Sequence, residues 1–99
     1  MATFHTSGLV STDTLIKTGM ARVRAVTLSW IGGAAASICT LIDGTTIAGH
    51  DEVVMVTDAA QGMIHLYFGE EGKLFETGIF FNMGPGTGSG TYWCSVDYR

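Results

Sequence analysis

Charge is scarce in this sequence. Lys and Arg number 5 and Asp and Glu number 9, so 14% of the 99 residues are charged, against roughly 25% in an ordinary soluble domain. Five cations at a net charge of −4 provide no basic stripe for a phosphate backbone, so no nucleic-acid partner is expected. The opening Met1-Ala2-Thr3-Phe4-His5 lacks the basic-then-apolar pattern of a secretory signal. There are 2 cysteines, Cys39 and Cys94, both inside strand-like runs. They read as two reduced core thiols, or as a disulfide between strands if the compartment is oxidising. The 3 histidines, His5, His50 and His65, fall in an arm, a loop and a strand. None has metal-ligand spacing, and the cysteines are too far apart for a zinc knuckle.

Catalytic motifs are missing as well. No Gly-x-Ser-x-Gly elbow occurs. The bridge Gly84-Pro85-Gly86-Thr87-Gly88-Ser89-Gly90 has no lysine after it and lies between strands rather than before a helix, unlike a phosphate loop. Gly69-Glu70-Glu71-Gly72-Lys73 fails the same spacing, and its carboxylates would repel phosphate. In an extended chain Glu70 and Glu71 point to opposite sides, a poor acid–base couple. His50-Asp51-Glu52 reads as a solvated loop, with cation binding at its carboxylates as the alternative. The expectation is a protein without catalytic residues, cofactor or metal.

What is present is apolar surface and strand periodicity. Hydrophobic residues make up 46% of the chain, more than a small domain can bury inside itself while covering its outside with polar groups. Burial against other copies or a partner is therefore expected. The uncharged stretch Ala25 to Ile42 approaches the roughly 20 residues of a membrane helix. However, Thr27, Ser29, Ser37 and Thr40 interleave with its apolar residues and Gly32-Gly33 interrupts it. Strand, tight turn, strand describes it better, and no membrane span is expected.

Along the chain, residues 1–14 form an arm or short edge strand, and 15–99 form one domain. Leu15 to Thr18 is a strand ending at Gly19. Val23, Val26, Leu28 and Trp30 share one face, and the break in their period of two predicts a bulge near Arg24-Ala25. Cys39 and Leu41 oppose Ile38, Thr40 and Ile42. After the turn Asp43-Gly44-Thr45-Thr46 comes the strand Val53 to Thr57. Ile64, Leu66 and Phe68 alternate with His65 and Tyr67; Ile79, Phe81 and Met83 alternate with Phe80 and Asn82. In the last run, Tyr92, Cys94, Val96 and Tyr98 oppose Thr91, Trp93, Ser95 and Asp97. The reading is an all-β fold: a single small antiparallel β-sandwich, or flattened barrel, of about seven strands. A hairpin closes it, with no room for an appended catalytic element.

Several residues stand out as a contact surface. Phe80 and Trp93 point away from the faces of Ile79 and Cys94, and aromatics are enriched at interface centres. With Ile38 and Ile42 they form the candidate oligomer interface. If the register is shifted, they are core residues instead. A further reading makes Trp93, Tyr67 and Tyr92 a sugar-stacking platform. Lys17, Arg22 and Arg24 form a local cationic cluster, either a solvated edge or a contact for an acidic partner surface.

Leu15-Ile16-Lys17-Thr18-Gly19, Arg22-Val23-Arg24-Ala25-Val26-Thr27-Leu28 and Cys39-Thr40-Leu41-Ile42-Asp43-Gly44 are followed by Thr77-Gly78-Ile79-Phe80-Phe81-Asn82-Met83-Gly84 and Trp93-Cys94-Ser95-Val96-Asp97-Tyr98. This layout resembles small bacteriophage virion-associated β-sandwich proteins of the capsid decoration, or cement, type, over most of Leu15 to Arg99. It departs from the simpler members in the longer segment Ile47 to Gly62 and in the arm. The resemblance implies a non-enzymatic virion structural protein, present in the host cytoplasm during assembly and then on the capsid surface. Its implied partners are itself, as a homotrimer, and the major capsid protein, reached through Phe4, His5, Lys17, Arg22 and Arg24. Capsid stabilisation is the implied role, with a tail or fibre module binding host-surface glycan as the alternative.

Overall fold

The structure, a computed structural model, describes residues 5–33 and 36–99, the side chain of Ser89 excepted. In chain order the strands are β1 (His5–Thr6), β2 (Thr14–Thr18), β3 (Ala21–Ile31), β4 (Ile38–Asp43), β5 (His50–Val56), β6 (Gln61–Tyr67), β7 (Lys73–Phe75), β8 (Gly78–Met83) and β9 (Thr91–Tyr98). One turn of 3-10 helix, Thr87–Ser89, precedes β9. The strands make two antiparallel sheets. One has the order β1-β9-β3-β6, with β7 also on β3; the other has the order β2-β8-β4-β5. This is an all-β fold, a small β-sandwich.

The alternation along β3 builds the first sheet. Val23, Val26, Leu28 and Trp30 turn inward and are buried, while Ala25, Thr27 and Ser29 face out. Between them the pairing with β9 slips: Val23 opposes Tyr98 and Ala25 opposes Asp97, leaving Arg24 as the extra residue. The bulge read from the broken period is there, and it turns the Arg24 side chain toward Asp97 on the outer face. β6 and β7 follow one another along the same edge of β3, against 25–31 and 21–23. The loop 68–72 leaves the line between them, with positive φ at Gly69 and Gly72.

Inward residues of both sheets form one core, including Leu28 and Val96 from the first sheet and Leu41, Met55, Ile79 and Phe81 from the second. Burying each large aliphatic or aromatic side chain contributes about 1.5–3 kcal/mol. Cys39 and Cys94 are both free thiols in this core. Burial raises their pKa values, Cys39 to about 11 and Cys94 to about 12, the latter also through Cys39.

The connections differ from the expected hairpins. β8 and β9 lie in different sheets, so the glycine-rich bridge 84–90 arches between sheets instead of closing a hairpin. The Gly32-Gly33 segment likewise carries the chain from β3 to the other sheet. Among the described residues, β4–β5 is the one hairpin between consecutive strands. Turn composition announces a reversal, but not whether the chain returns beside its own strand or crosses the roughly 10 Å to the facing sheet. The seven periodic runs correspond to the strands of five or more residues. β1 and β7, with 2 and 3 residues, are too short to show a period.

The sandwich is closed differently at its two ends. At one end residues 32–33 and 36–37 and the crossovers 57–60 and 84–90 meet around buried hydroxyls. Tyr92 donates its hydroxyl to Ser37 Oγ at 2.9 Å, Ser37 donates to the Gly86 carbonyl at 3.0 Å, and the Ser37 N–H donates to Thr57 Oγ1 at 3.1 Å. Trp30 Nε1 donates to the Ala59 carbonyl at 3.0 Å. A Cβ on Gly33 would lie 2.1 Å from the Tyr92 hydroxyl, so only glycine fits there. At the other end a carboxylate does the work. Asp43 accepts the N–H groups of Glu76 (2.9 Å), Thr77 (2.8 Å) and Gly78 (3.3 Å), fixing the crossover into β8.

One side of the sandwich is sealed by the N-terminal segment. β1 pairs with β9, and Ser7 and Val10 continue the contact through bonds to the Val96 and Cys94 carbonyls, each 2.9 Å. Asp13 then accepts the Met83 N–H at 2.7 Å on the other sheet, where β2 pairs with β8. The part of the expected arm from His5 onward is thus built into the sheets.

Candidate interaction faces

No cluster of three or more metal-ligating side chains occurs among the described residues. The candidate functional surface is therefore the pair of outer sheet faces. The surface area of 5147 Å² is close to the about 5,400 Å² expected for a compact 10.5 kDa chain. The shortage of charge is not taken up by an open fold.

On the four-stranded sheet the outward residues fall in three rows. Leu15, Phe80 and Ile42 are cross-strand neighbours; so are Asn82, Thr40 and Val54; Ile38 stands beside Val56. None of these eight is ionisable; the first row ends on β5 at the exposed Asp51, which pairs with Ile42. Leu15, Val54 and Val56 are exposed, and Ile38 and Phe80 are half-buried. Ile42, expected at the interface, is only 1% exposed. The turn after β4 folds over it so closely that a Cβ on Gly49 would lie 2.7 Å from Ile42 Cγ2. It belongs to the chain's own packing and offers nothing to a partner.

Trp93 is not on this face. β9 pairs with β3 and lies in the other sheet, so Trp93 points out from the opposite side of the sandwich, in the row Met63, Ser29, Trp93. The four candidate interface residues thus separate: Ile38, Ile42 and Phe80 on one sheet, Trp93 on the other. The reason is the β8–β9 arch, which moves the chain between sheets after Phe80.

The outer face of the five-stranded sheet mixes apolar and polar groups. Ile31, Met63 and Tyr67 are exposed and Trp93 is half-buried. Thr27 Oγ1 and His65 Nδ1 share a hydrogen bond of 2.8 Å. At one end Arg24 Nε donates to Asp97 Oδ2 at 2.9 Å and its guanidinium lies 3.8 Å from Glu70, whose other oxygen accepts the Tyr67 hydroxyl. The Asp97 hydrogen bond raises the Arg24 pKa, and the Glu70 hydrogen bond raises that of Tyr67. The sugar platform does not assemble here. Tyr92 is fully buried. Trp93 opposes Ser29 while Tyr67 opposes Ala25 on the far side of β3, a separation of about 16 Å from strand spacings.

The residues expected to reach a shell are dispersed. Phe4 lies outside the described residues. His5 is exposed on β1 with its ring 5.7 Å from that of Tyr98. Lys17 sits past the Leu15/Lys17 bulge on the edge strand β2, and Arg22 opposes Leu74 on β3. Among the described residues neither Lys17 nor Arg22 has an ion pair, whereas Arg24 is held by Asp97. Two acidic groups are engaged in the same way: Glu71 lies 3.5 Å from Arg99, and Glu52 lies 3.3 Å from Lys73 and 3.9 Å from His50. Of the surface residues missed by the sequence reading, Leu15, Val54 and Val56, the two valines had a signal in the unbroken run Val53-Val54-Met55-Val56. Such a run is the pattern of a strand with apolar residues on both faces.

No helix among the described residues is long and apolar enough to cross a membrane. Comparison with protein-family models, curated proteins and solved structures finds no match to this chain.

Proposed function

We propose that this chain is a non-enzymatic structural protein of a bacteriophage particle, a capsid decoration protein that binds the assembled shell and stabilises it. The observation that carries the reading is the outer face of the four-stranded sheet, where Leu15, Ile38, Phe80, Val54 and Val56 lie together and the ionisable Asp51 stands at the rim beside Ile42. Contiguous apolar surface of this kind marks interaction sites. The layout that resembles virion β-sandwiches supports the same role and implies three copies on the shell. Several tethered copies raise one another's effective concentration. Binding the assembled shell in preference to its free subunits stabilises it by mass action.

Quantitative mass spectrometry on purified particles of the encoding virus tests this. A copy number of the order of the major shell protein supports decoration. A handful of copies moves the protein to the tail or fibre, and absence from the particle refutes the proposal. Phe80→Asp, which places a charge on this face, should abolish particle binding while the purified protein keeps its strand circular dichroism.

A further inference from the structure

The side opposite the N-terminal segment is open. There β5 and β6 are the last strands of their sheets, and the Glu52–Lys73 ion pair at 3.3 Å bridges the gap near one end. β5 uses alternate residues for its own ladder. Thr57 donates its N–H to the Ser37 carbonyl at 3.0 Å and accepts from the Ala36 N–H at 2.6 Å. Thr57, and by alternation Met55 and Val53, therefore direct their backbone groups toward β4. Val54 and Val56 direct theirs away from the sheet, and their side chains are 54% and 53% exposed. From Val53 to Thr57 this edge carries no charge, proline or bulge, the devices by which natural edges resist pairing. The bulge that the strand has lies before it, between the partners of Leu41 and Ile42.

We infer that two copies pair antiparallel along β5, about a two-fold axis at Val54. A two-fold normal to the sheet keeps inner and outer faces continuous only when outward residues oppose outward residues. Any axis centred on a residue meets this condition, and one at Val56 would carry the ladder past the end of β5, which leaves Val53, Val54 or Met55. An axis at Met55 sets Glu52 opposite Asp58 of the second copy, twice, and like charges directly opposed are destabilising. An axis at Val53 sets Glu52 opposite Val54 and so runs the pairing onto the bulge at Asp51 and Glu52. The axis at Val54 keeps the paired run, Glu52 to Val56, on the regular side of that bulge and sets Glu52 opposite a neutral valine. Val54 then exchanges both backbone hydrogen bonds with its own equivalent. The two four-stranded sheets become one of eight strands, and the apolar face stays outward at double extent. This pairing stands independently of the virion reading, because it rests on the edge alone.

Native mass spectrometry of the purified full chain tests it, beside two variants. The wild type should be a dimer, or six copies if a three-fold axis also operates. Val54→Pro removes an N–H that β5 does not use in its own ladder, so it should yield a folded monomer, or a trimer where the three-fold persists. Val54→Cys should cross-link between copies under a mild oxidant, since Cα atoms of a hydrogen-bonded pair lie about 5.5 Å apart, within disulfide range. Met63→Cys, on the other sheet, should not. A monomeric or three-copy wild type overturns the pairing. So does a Val54→Pro protein of unchanged assembly size, or a Val54→Cys protein that stays uncross-linked. None of these outcomes bears on copy number in a particle, so the two proposals fail separately.

Discussion

The two ends of the sandwich solve one problem with different chemistry. At each end the chain must leave one sheet for the other, and the crossing backbone must be held. The Tyr92 end does this with neutral hydroxyls sealed from water: Ser37 and Tyr92 are fully buried and Thr57 is 1% exposed. The Asp43 end does it with one carboxylate gripping three N–H groups in reach of solvent. A buried hydroxyl network is indifferent to pH, but it leaves costly orphans if one member is lost. A carboxylate clamp tolerates water and depends on its charge.

The hydroxyl end is where a single substitution should cost most. Ser37→Ala takes away the acceptor of the buried Tyr92 hydroxyl and a donor to the Gly86 carbonyl, which should cost about 1–3 kcal/mol in urea unfolding. Made in a Tyr92→Phe background, the same substitution should cost clearly less, because one orphan has already gone. Equal costs in both backgrounds would show that the network is not coupled.

Asp43→Ala should cost about 1–2 kcal/mol, less because the clamp is open to water. This end alone should respond to acid. Partial desolvation pushes the Asp43 carboxyl up, but the N–H groups of Glu76, Thr77 and Gly78, with His50, outweigh it, and its pKa lies below the ordinary value. The folded value is thus lower than the unfolded one. The clamp's contribution is complete above about pH 4, where the unfolded chain's aspartate titrates, and is lost as pH falls through the folded value. Unfolding free energies measured from neutral pH downward should fall less steeply for Asp43→Asn than for wild type, while Tyr92→Phe should leave the slope unchanged.

The smallest expected effect is a gain. Ala36, in the first crossover of the hydroxyl end, has φ 62°, a left-handed conformation that costs a residue with a Cβ roughly 1 kcal/mol. Ala36→Gly should raise the thermal midpoint slightly. A lower midpoint would mean that the Ala36 methyl group contributes more through its contacts than its backbone strain costs.

The sequence alone determined which residues face inward. Val23, Val26, Leu28 and Trp30 are buried together, Tyr92, Cys94 and Val96 likewise, and the break before Val26 became the Arg24 bulge, because a period of two maps directly onto the faces of a strand. It also carried the turns, since glycine and aspartate at Gly19 and Asp43-Gly44 record local backbone demands. Partnership between strands was decided only in the tertiary structure. Whether the chain pairs with its neighbour or arches across the core depends on which edges are already filled, a relation between segments distant in sequence. That is why the Gly84 to Gly90 bridge looked like a hairpin, why Trp93 was grouped with Phe80 and now faces the opposite way, and why Ile42 lies hidden beneath the turn at Gly49. Outward direction is legible from alternation; what an outward side chain stands beside is fixed by packing.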